Sequence, residues 1–373
     1  MLAFSCEQRL HVRYNAVSRP AMKGLILAAG LGTRLRPLTY TRAKPVLKVA
    51  NKPMIVYAIE NLRDAGITEI GLVVSALTRN DIEQAVKDLP GVKLEFVLQE
   101  QQLGLAHAVK QAEGFLAGKD FCMYLGDNLF EKGVRAYVEA FKTGACDAVI
   151  GLVKVADPRE FGVAVLDETG KIVRLVEKPK DPPSDLAVAG VYCFNNKILR
   201  VIDHLKPSAR GEYEITDAIV GLMEHGIVRG LEVQGWWKDT GRAFDLLDAN
   251  RLILEGIEPG MFGTNEDSRL VGRVRVEAGA IVRNSTVIGP AIIGPGAVLD
   301  NVYIGPFTSI GANAKLSSVE VEFSVIEEEA VLEDVPVRLQ ECLIGQRAKV
   351  KATERIPRVH RLVLSDASTI ELG

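Results

Sequence analysis

Aliphatic residues recur every six positions through the last third of this chain. They fall at Val276, Val282 and Ile288, then Ile292, Val298, Ile304, Ile310 and Leu316, then Val319, Val325, Val331, Val337 and Leu343. Gly289, Gly305 and Gly311 follow these positions, and Gly294 falls one frame off. A six-residue period with glycines at its corners fits a parallel β-helix, in which each repeat turns one aliphatic into the prism. A β-sandwich would alternate with period two and carry hairpin turns. Residues 271–364 are therefore expected to form the β-helix, 365–373 a tail, and 256–270, with Pro259, Gly260 and Gly263, a linker.

The region before it reads differently. Strand-like runs at 25–28, 69–74, 92–98, 121–125 and 148–155 alternate with helical patterns at 53–65, 78–89, 103–116 and 132–143. That βαβα order implies a mostly parallel sheet covered by helices, with ligands at the carboxyl ends of the strands. Gly30, Gln99 and Asp127 each follow a strand at that edge. From residue 162 a hairpin, a further strand at 186–194 and helices at 197–205, 214–225 and 244–255 make the sheet mixed. Residues 22–255 form one expected domain, and 1–21 a dispensable extension before Met22.

Composition narrows the function. The 373 residues carry a net charge of −3, so there is no global basic field for nucleic acid. The five cysteines are scattered without a Cys-x-x-Cys pair, which supports neither a disulfide framework nor a zinc site and suits a reduced cytoplasmic setting. No apolar run approaches the ~18 residues of a membrane span. An anion site must then be local, and one segment supplies it. The loop after Leu27 carries Gly30, Gly32, Thr33 and Arg34, followed by Ala43-Lys44-Pro45 and Asn51-Lys52-Pro53. Glycine lets backbone N–H groups approach a polyphosphate, and Arg34 adds a charged fork. Neither the Walker A spacing nor the dinucleotide fingerprint is met.

With these motifs the chain resembles the sugar-1-phosphate nucleotidylyltransferases. Within them Gly104-Leu-Ala-His-Ala108, Tyr124-Leu-Gly-Asp-Asn128, Trp236-Trp-Lys-Asp-Thr-Gly241 and Asp248-Ala-Asn-Arg251 are most similar to the long thymidylyltransferases that end in a left-handed β-helix. The resemblance implies a Rossmann-like nucleotidyltransferase domain. Leu27, Ala29, Gly30, Gly32, Thr33 and Arg34 would hold a nucleoside triphosphate, with Lys44 on its phosphates and Gln99 and Gly104 at the base edge. Asn128, Gly162, Glu177, Lys178, Val188, Tyr192, Arg210 and Trp237 would hold the sugar-1-phosphate. Asp127 and Asp239 would share one Mg²⁺. The catalytic set is then Arg34, Lys44, Lys178, Asp127 and Asp239. His107 receives no role.

The implied reaction joins dTTP to glucose-1-phosphate by direct attack on the α-phosphorus. Ala29 and Pro45 stand where short thymidylyltransferases have glycine and glutamine, so UTP stays open beside dTTP. A bifunctional acetyltransferase would need a β-helix histidine, and residues 271–359 contain none. A non-catalytic regulatory subunit would be expected to have lost one of the charged site residues, all of which are present. The β-helix is expected to join copies of the chain into a homo-oligomer.

Overall fold

The computed structural model describes residues 21–352. The expected extension up to residue 20, the end of the β-helix beyond residue 352 and the 365–373 tail lie outside the described residues. The first domain is built on a nine-stranded sheet. Lys23–Leu27 lies at its centre, parallel to Glu69–Val74 on one side and Phe121–Leu125 on the other. Lys93–Leu98 extends the parallel part. Leu186–Phe194 pairs antiparallel with Phe121–Leu125 and with Ala148–Lys154, and the hairpin Gly162–Leu166 and Ile172–Glu177 completes the mixed half.

Successive strand side chains point to opposite faces, and the central strand shows both cores that result. Leu25 and Leu27 pack with Val109, Ile198 and Ile219 on one face. Ile26 and Ala28 pack with Ile55, Ile59, Leu62 and Phe141 on the other. The helices Met54–Asp64, Leu105–Gln111 and Ile215–Met223 thus each bury one apolar stripe against the sheet. The expected single helix over 103–116 breaks at Ala112, into Leu105–Gln111 and Glu113–Leu116.

One pairing was not legible in the sequence. Asn128–Phe130 and Trp237–Asp239 form a two-stranded antiparallel ribbon in which Asn128 faces Asp239. Thr240 adds two hydrogen bonds to the carbonyl of Asp127, from its N–H at 3.3 Å and its hydroxyl at 2.8 Å.

The second region is a left-handed parallel β-helix of three sheets. Ile281, Val298 and Lys315 stack in one sheet, and Thr286, Tyr303 and Glu320 in another. Two sequence expectations need correction. The segment 256–270 is not a free linker: Gly260–Met261, Thr264–Glu266 and Arg269–Val271 pair with the following coil and form the first turn of the prism. The six-residue period is not uniform: Val298 pairs with Ile281 and Lys315 with Val298, 17 positions apart each time, so one face per coil takes five residues and the inward frame slips by one. Val287, Ile293, Leu299, Ile326 and Leu332 fill the interior instead of Ile288, Ile292, Val298, Val325 and Val331. Val337 is 64% exposed. Adjacent aliphatics leave the inward frame ambiguous. Some of the outward ones have a partner, since Ile292 packs on Ala50 and Leu254 of the first domain, and Leu343 on the cluster of Leu35 and Leu47.

Asn250, fully buried, joins the two regions. Its Oδ1 accepts from the Ala50 N–H at 2.9 Å and the Ser309 hydroxyl at 2.6 Å, and its Nδ2 donates to the Phe307 carbonyl at 2.9 Å.

Candidate active site

Three strand ends converge on one edge of the sheet, and the residues after them meet there. Lys44, on the short 3-10 turn Lys44–Val46, reaches across so that its Nζ lies 2.5 Å from Asp127 Oδ2 and 4.0 Å from Asp239 Oδ1. The ribbon of Asn128–Phe130 and Trp237–Asp239 is what brings the two carboxylates together. Burial alone would raise the Asp127 carboxyl, but the Lys44 charge and hydrogen bond and the Asn128 amide hold it below the usual range. Asp239 is pushed up to about 6 by burial and by Asp127, against the opposing pull of Lys44 and Arg34. One ammonium therefore balances two close carboxylates incompletely. Hard oxygen donors with surplus negative charge suit a divalent cation such as Mg²⁺, which takes one or two carboxylates and fills its shell with phosphate and water. Among the described residues no group of three or more His, Cys, Asp and Glu side chains is arranged to hold a metal by itself.

Beside this triad lies a cavity of about 270 Å³. Leu27, Ala29, Gly30, Lys44, Gln99, Gly104 and Asp127 line it, together with Gln102, Leu105, Ala108 and Glu212, which received no role from sequence. Gly32, Thr33 and Arg34 do not line it. They form the 3-10 turn Thr33–Leu35 and its cap at the rim, with Thr33 and Arg34 exposed. Gly32 has φ of +62°, and a Cβ there would stand 2.8 Å from Lys44 Cβ, so the loop can close on the lysine only with glycine.

Gln99 is 4% exposed, and its Nε2 donates to the Gly104 carbonyl at 3.3 Å and faces His107 Nδ1 at 3.0 Å. His107, given no role from sequence, thus helps hold the Gln99 amide. Its position one turn into the helix that Gly104 opens was the available signal. Gly104, with φ of +105°, would place a Cβ 2.6 Å from the Tyr213 carbonyl oxygen. The Tyr213 N–H donates to the Leu103 carbonyl, and the Ala106 N–H to Tyr213 O, so the Gly104 loop is laced to the segment carrying Arg210.

The residues expected to hold the sugar phosphate form a second cluster, outside the cavity lining. Asn128 Nδ2 donates to Asp127 Oδ1 at 2.9 Å and Trp237 Nε1 donates to Asn128 Oδ1 at 2.8 Å. Asn128 is 2% exposed, so its amide links the aspartate to the tryptophan. Trp237 meets Phe161 edge to face, and Gly162 follows, paired with Glu177 across the hairpin. A Cβ at Gly162 would stand 2.8 Å from Thr216 Cγ2. Thr216 donates to Glu177 at 3.1 Å, and burial and the nearby Glu214 raise the Glu177 carboxyl. Arg210 is held by Glu214, with Nη2 to Oε1 at 2.9 Å and to Oε2 at 3.0 Å, and lies within 3.2 Å of Glu212 and 3.8 Å of Glu177. Lys178 sits at φ of +41° with its N–H on the Phe161 carbonyl. Val188 touches the Gly162 position, whereas Tyr192, 4% exposed, stacks on Phe194 in the core.

A profile of the nucleotidyl transferase family matches residues 23–256. The chain belongs to the nucleotidyl transferase family. It is 44% identical over 356 residues to a glucose-1-phosphate thymidylyltransferase of Streptomyces antibioticus, covering 94% of this chain and 99% of the relative. A Streptomyces griseus enzyme of the same description is 45% identical, covering 94% of this chain and 100% of the relative. The fold is similar to the solved structure of a Bacillus anthracis protein, assigned as a glucose-1-phosphate thymidylyltransferase and crystallised with sucrose. The two are 37% identical with a TM-score of 0.60, over 65% of this chain and 98% of that one. Among the described residues of this nucleotidyltransferase no helix is long and apolar enough to cross a membrane.

Proposed function

We propose that this nucleotidyltransferase joins dTTP to glucose-1-phosphate, giving dTDP-glucose and pyrophosphate. The observation that carries the reading is the Lys44–Asp127–Asp239 triad, set between the cavity lined by Gly30, Gln99 and Gly104 and the cluster from Asn128 to Arg210. A nucleoside triphosphate and a sugar phosphate together bring about six negative charges, so positioning and charge compensation are the main work of such a site. The triphosphate would lie along Gly30 to Arg34 with Lys44 on its phosphates and the base towards Gln99 and Gly104. The sugar phosphate would be held by Lys178 and Arg210, with Glu177 accepting from sugar hydroxyls.

A phosphate oxygen of glucose-1-phosphate attacks the α-phosphorus. The bond from that phosphorus to the bridging oxygen breaks, and pyrophosphate leaves with the electron pair. No side-chain nucleophile takes part. Asp127 and Asp239 would hold a Mg²⁺ ion, which when bound supplies charge neutralisation to the phosphates. Oligomerisation would use β-helix surface not spent on the first domain, where Met261, Phe262 and Val271 are exposed.

The stereochemical course tests the mechanism. With dTTP made chiral at the α-phosphorus by sulfur, single displacement inverts that centre. Retention would mean two displacements through an enzyme-bound nucleotidyl group and would overturn the direct attack.

A further inference from the structure

Lys44 is the middle cation of three in a short segment, between Arg42 and Lys48. The two outer cations turn away from the cavity, into the boundary with the β-helix. Arg42 Nη1 lies 2.5 Å from Glu327 Oε2, and Lys48 Nζ pairs with Glu328 Oε1. Both glutamates are largely buried, with side chains 8% and 12% exposed. Glu327 Oε2 also accepts from the Gln346 N–H at 3.1 Å, whereas Glu328 Oε2 is buried with no hydrogen-bond partner. The same late coil makes an independent apolar contact, since Leu343 packs in the cluster that holds Leu35, the last residue of the 3-10 turn at the triphosphate rim.

We propose that Glu327 and Glu328 are positioning residues for the triphosphate site, and that the late coil of the β-helix is a working part of that site. The electrostatic reason is direct. Left unpaired, Arg42 and Lys48 would compete for Asp127, Asp239 and the incoming phosphates. Fixed on two buried glutamates, they anchor the chain on either side of Lys44 and leave it as the cation aimed at the carboxylates. Removing one partner of a buried ion pair leaves an uncompensated charge, so the segment that carries Lys44 shifts.

This inference rests on the nucleotidyl-transfer reading, and the experiment separates the two. Full-length wild type, Glu327→Gln, Glu328→Gln and the charge-reversed pair Arg42→Glu with Glu327→Arg are compared. The control is Glu329→Gln, which removes only the exposed pair to Arg347. Wild-type turnover of dTTP with glucose-1-phosphate tests the reading alone. For the inference, binding of a fluorescent dTTP analogue weakens about tenfold in Glu327→Gln, with the glucose-1-phosphate KM within about twofold of wild type. Glu329→Gln binds as wild type, and the reversed pair recovers part of the loss. If Glu327→Gln does not fold, Glu328→Gln carries the same expectation. Unchanged triphosphate binding in a folded variant, or equal weakening for both substrates, overturns the proposal.

Discussion

The ammonium of Lys44 lies 2.5 Å from one carboxylate oxygen of Asp127 and 4.0 Å from one of Asp239. These three charges come from the loop after the first strand, the end of Phe121–Leu125 and the short strand Trp237–Asp239. Their juxtaposition is the core of the proposed chemistry. Lys44→Ala or Asp127→Ala should lower turnover by about 100-fold or more, the scale of losing a charge-stabilising group. Initial-rate pyrophosphate release checks this, and a variant within a few-fold of wild type would remove that residue from the machinery.

Asp239 makes the site costly to the free protein. Burial and the neighbouring Asp127 push its carboxyl up to about 6 in the folded chain, from the 3.8 of a free aspartate. Between those values the folded state binds more protons than the unfolded one, so stability falls as pH rises, and the full penalty applies above about pH 6. Asp239→Asn should therefore raise the melting temperature by roughly 2–4 °C above that pH, with the gain gone below the lower value, while turnover collapses. Added Mg²⁺ should raise the wild-type melting temperature above pH 6 and leave the variant's unchanged.

Gly104 couples the two halves of the site. Alanine there meets the Tyr213 carbonyl at 2.6 Å and must adopt φ of +105°. Gly104→Ala should destabilise the protein by about 1–3 kcal/mol, measured by urea unfolding. It should weaken both substrates, because the loop bearing Gln99 and the segment bearing Arg210 are laced together at this point.

Glu214 holds Arg210, the side chain proposed for the sugar phosphate. It is buried, grips Arg210 with both oxygens, and also accepts from the Ser208 hydroxyl at 2.8 Å. Glu214→Gln should raise the KM for glucose-1-phosphate by about tenfold and leave the KM for dTTP near wild type. A rise in both would make Glu214 a general structural residue.

The legible part of this protein was what repeats or runs locally. The strand before the glycine loop, Glu69–Val74 and Leu186–Phe194 were readable because their apolar runs end at Gly30, Ser75 and Asn195. The β-helix was readable from its period. Its inward frame was not, because pairs such as Ile292 and Ile293 are both aliphatic and only packing decides which turns inward. The ribbon between Asn128–Phe130 and Trp237–Asp239 was hidden for another reason. Three-residue strands carry no measurable alternation, so the meeting of Asp127 and Asp239 at Lys44 is legible only through motif resemblance. The link between Arg42 and Glu327 spans 285 positions and leaves no local trace. Arg210 was expected as a phosphate ligand, yet the three glutamates around it emerge only when the hairpin and the 208–214 segment are brought together.

The most direct measurement is a matrix of kcat/KM for dTTP, UTP, GTP and ATP against glucose-1-phosphate and N-acetylglucosamine-1-phosphate, read as pyrophosphate release with Mg²⁺. The account predicts that dTTP with glucose-1-phosphate leads. UTP should fall behind by the ~1–3 kcal/mol that one methyl group supplies in a pocket, and both purine nucleotides well below. A matrix without turnover, or one led by UTP, GTP, ATP or N-acetylglucosamine-1-phosphate, would contradict it.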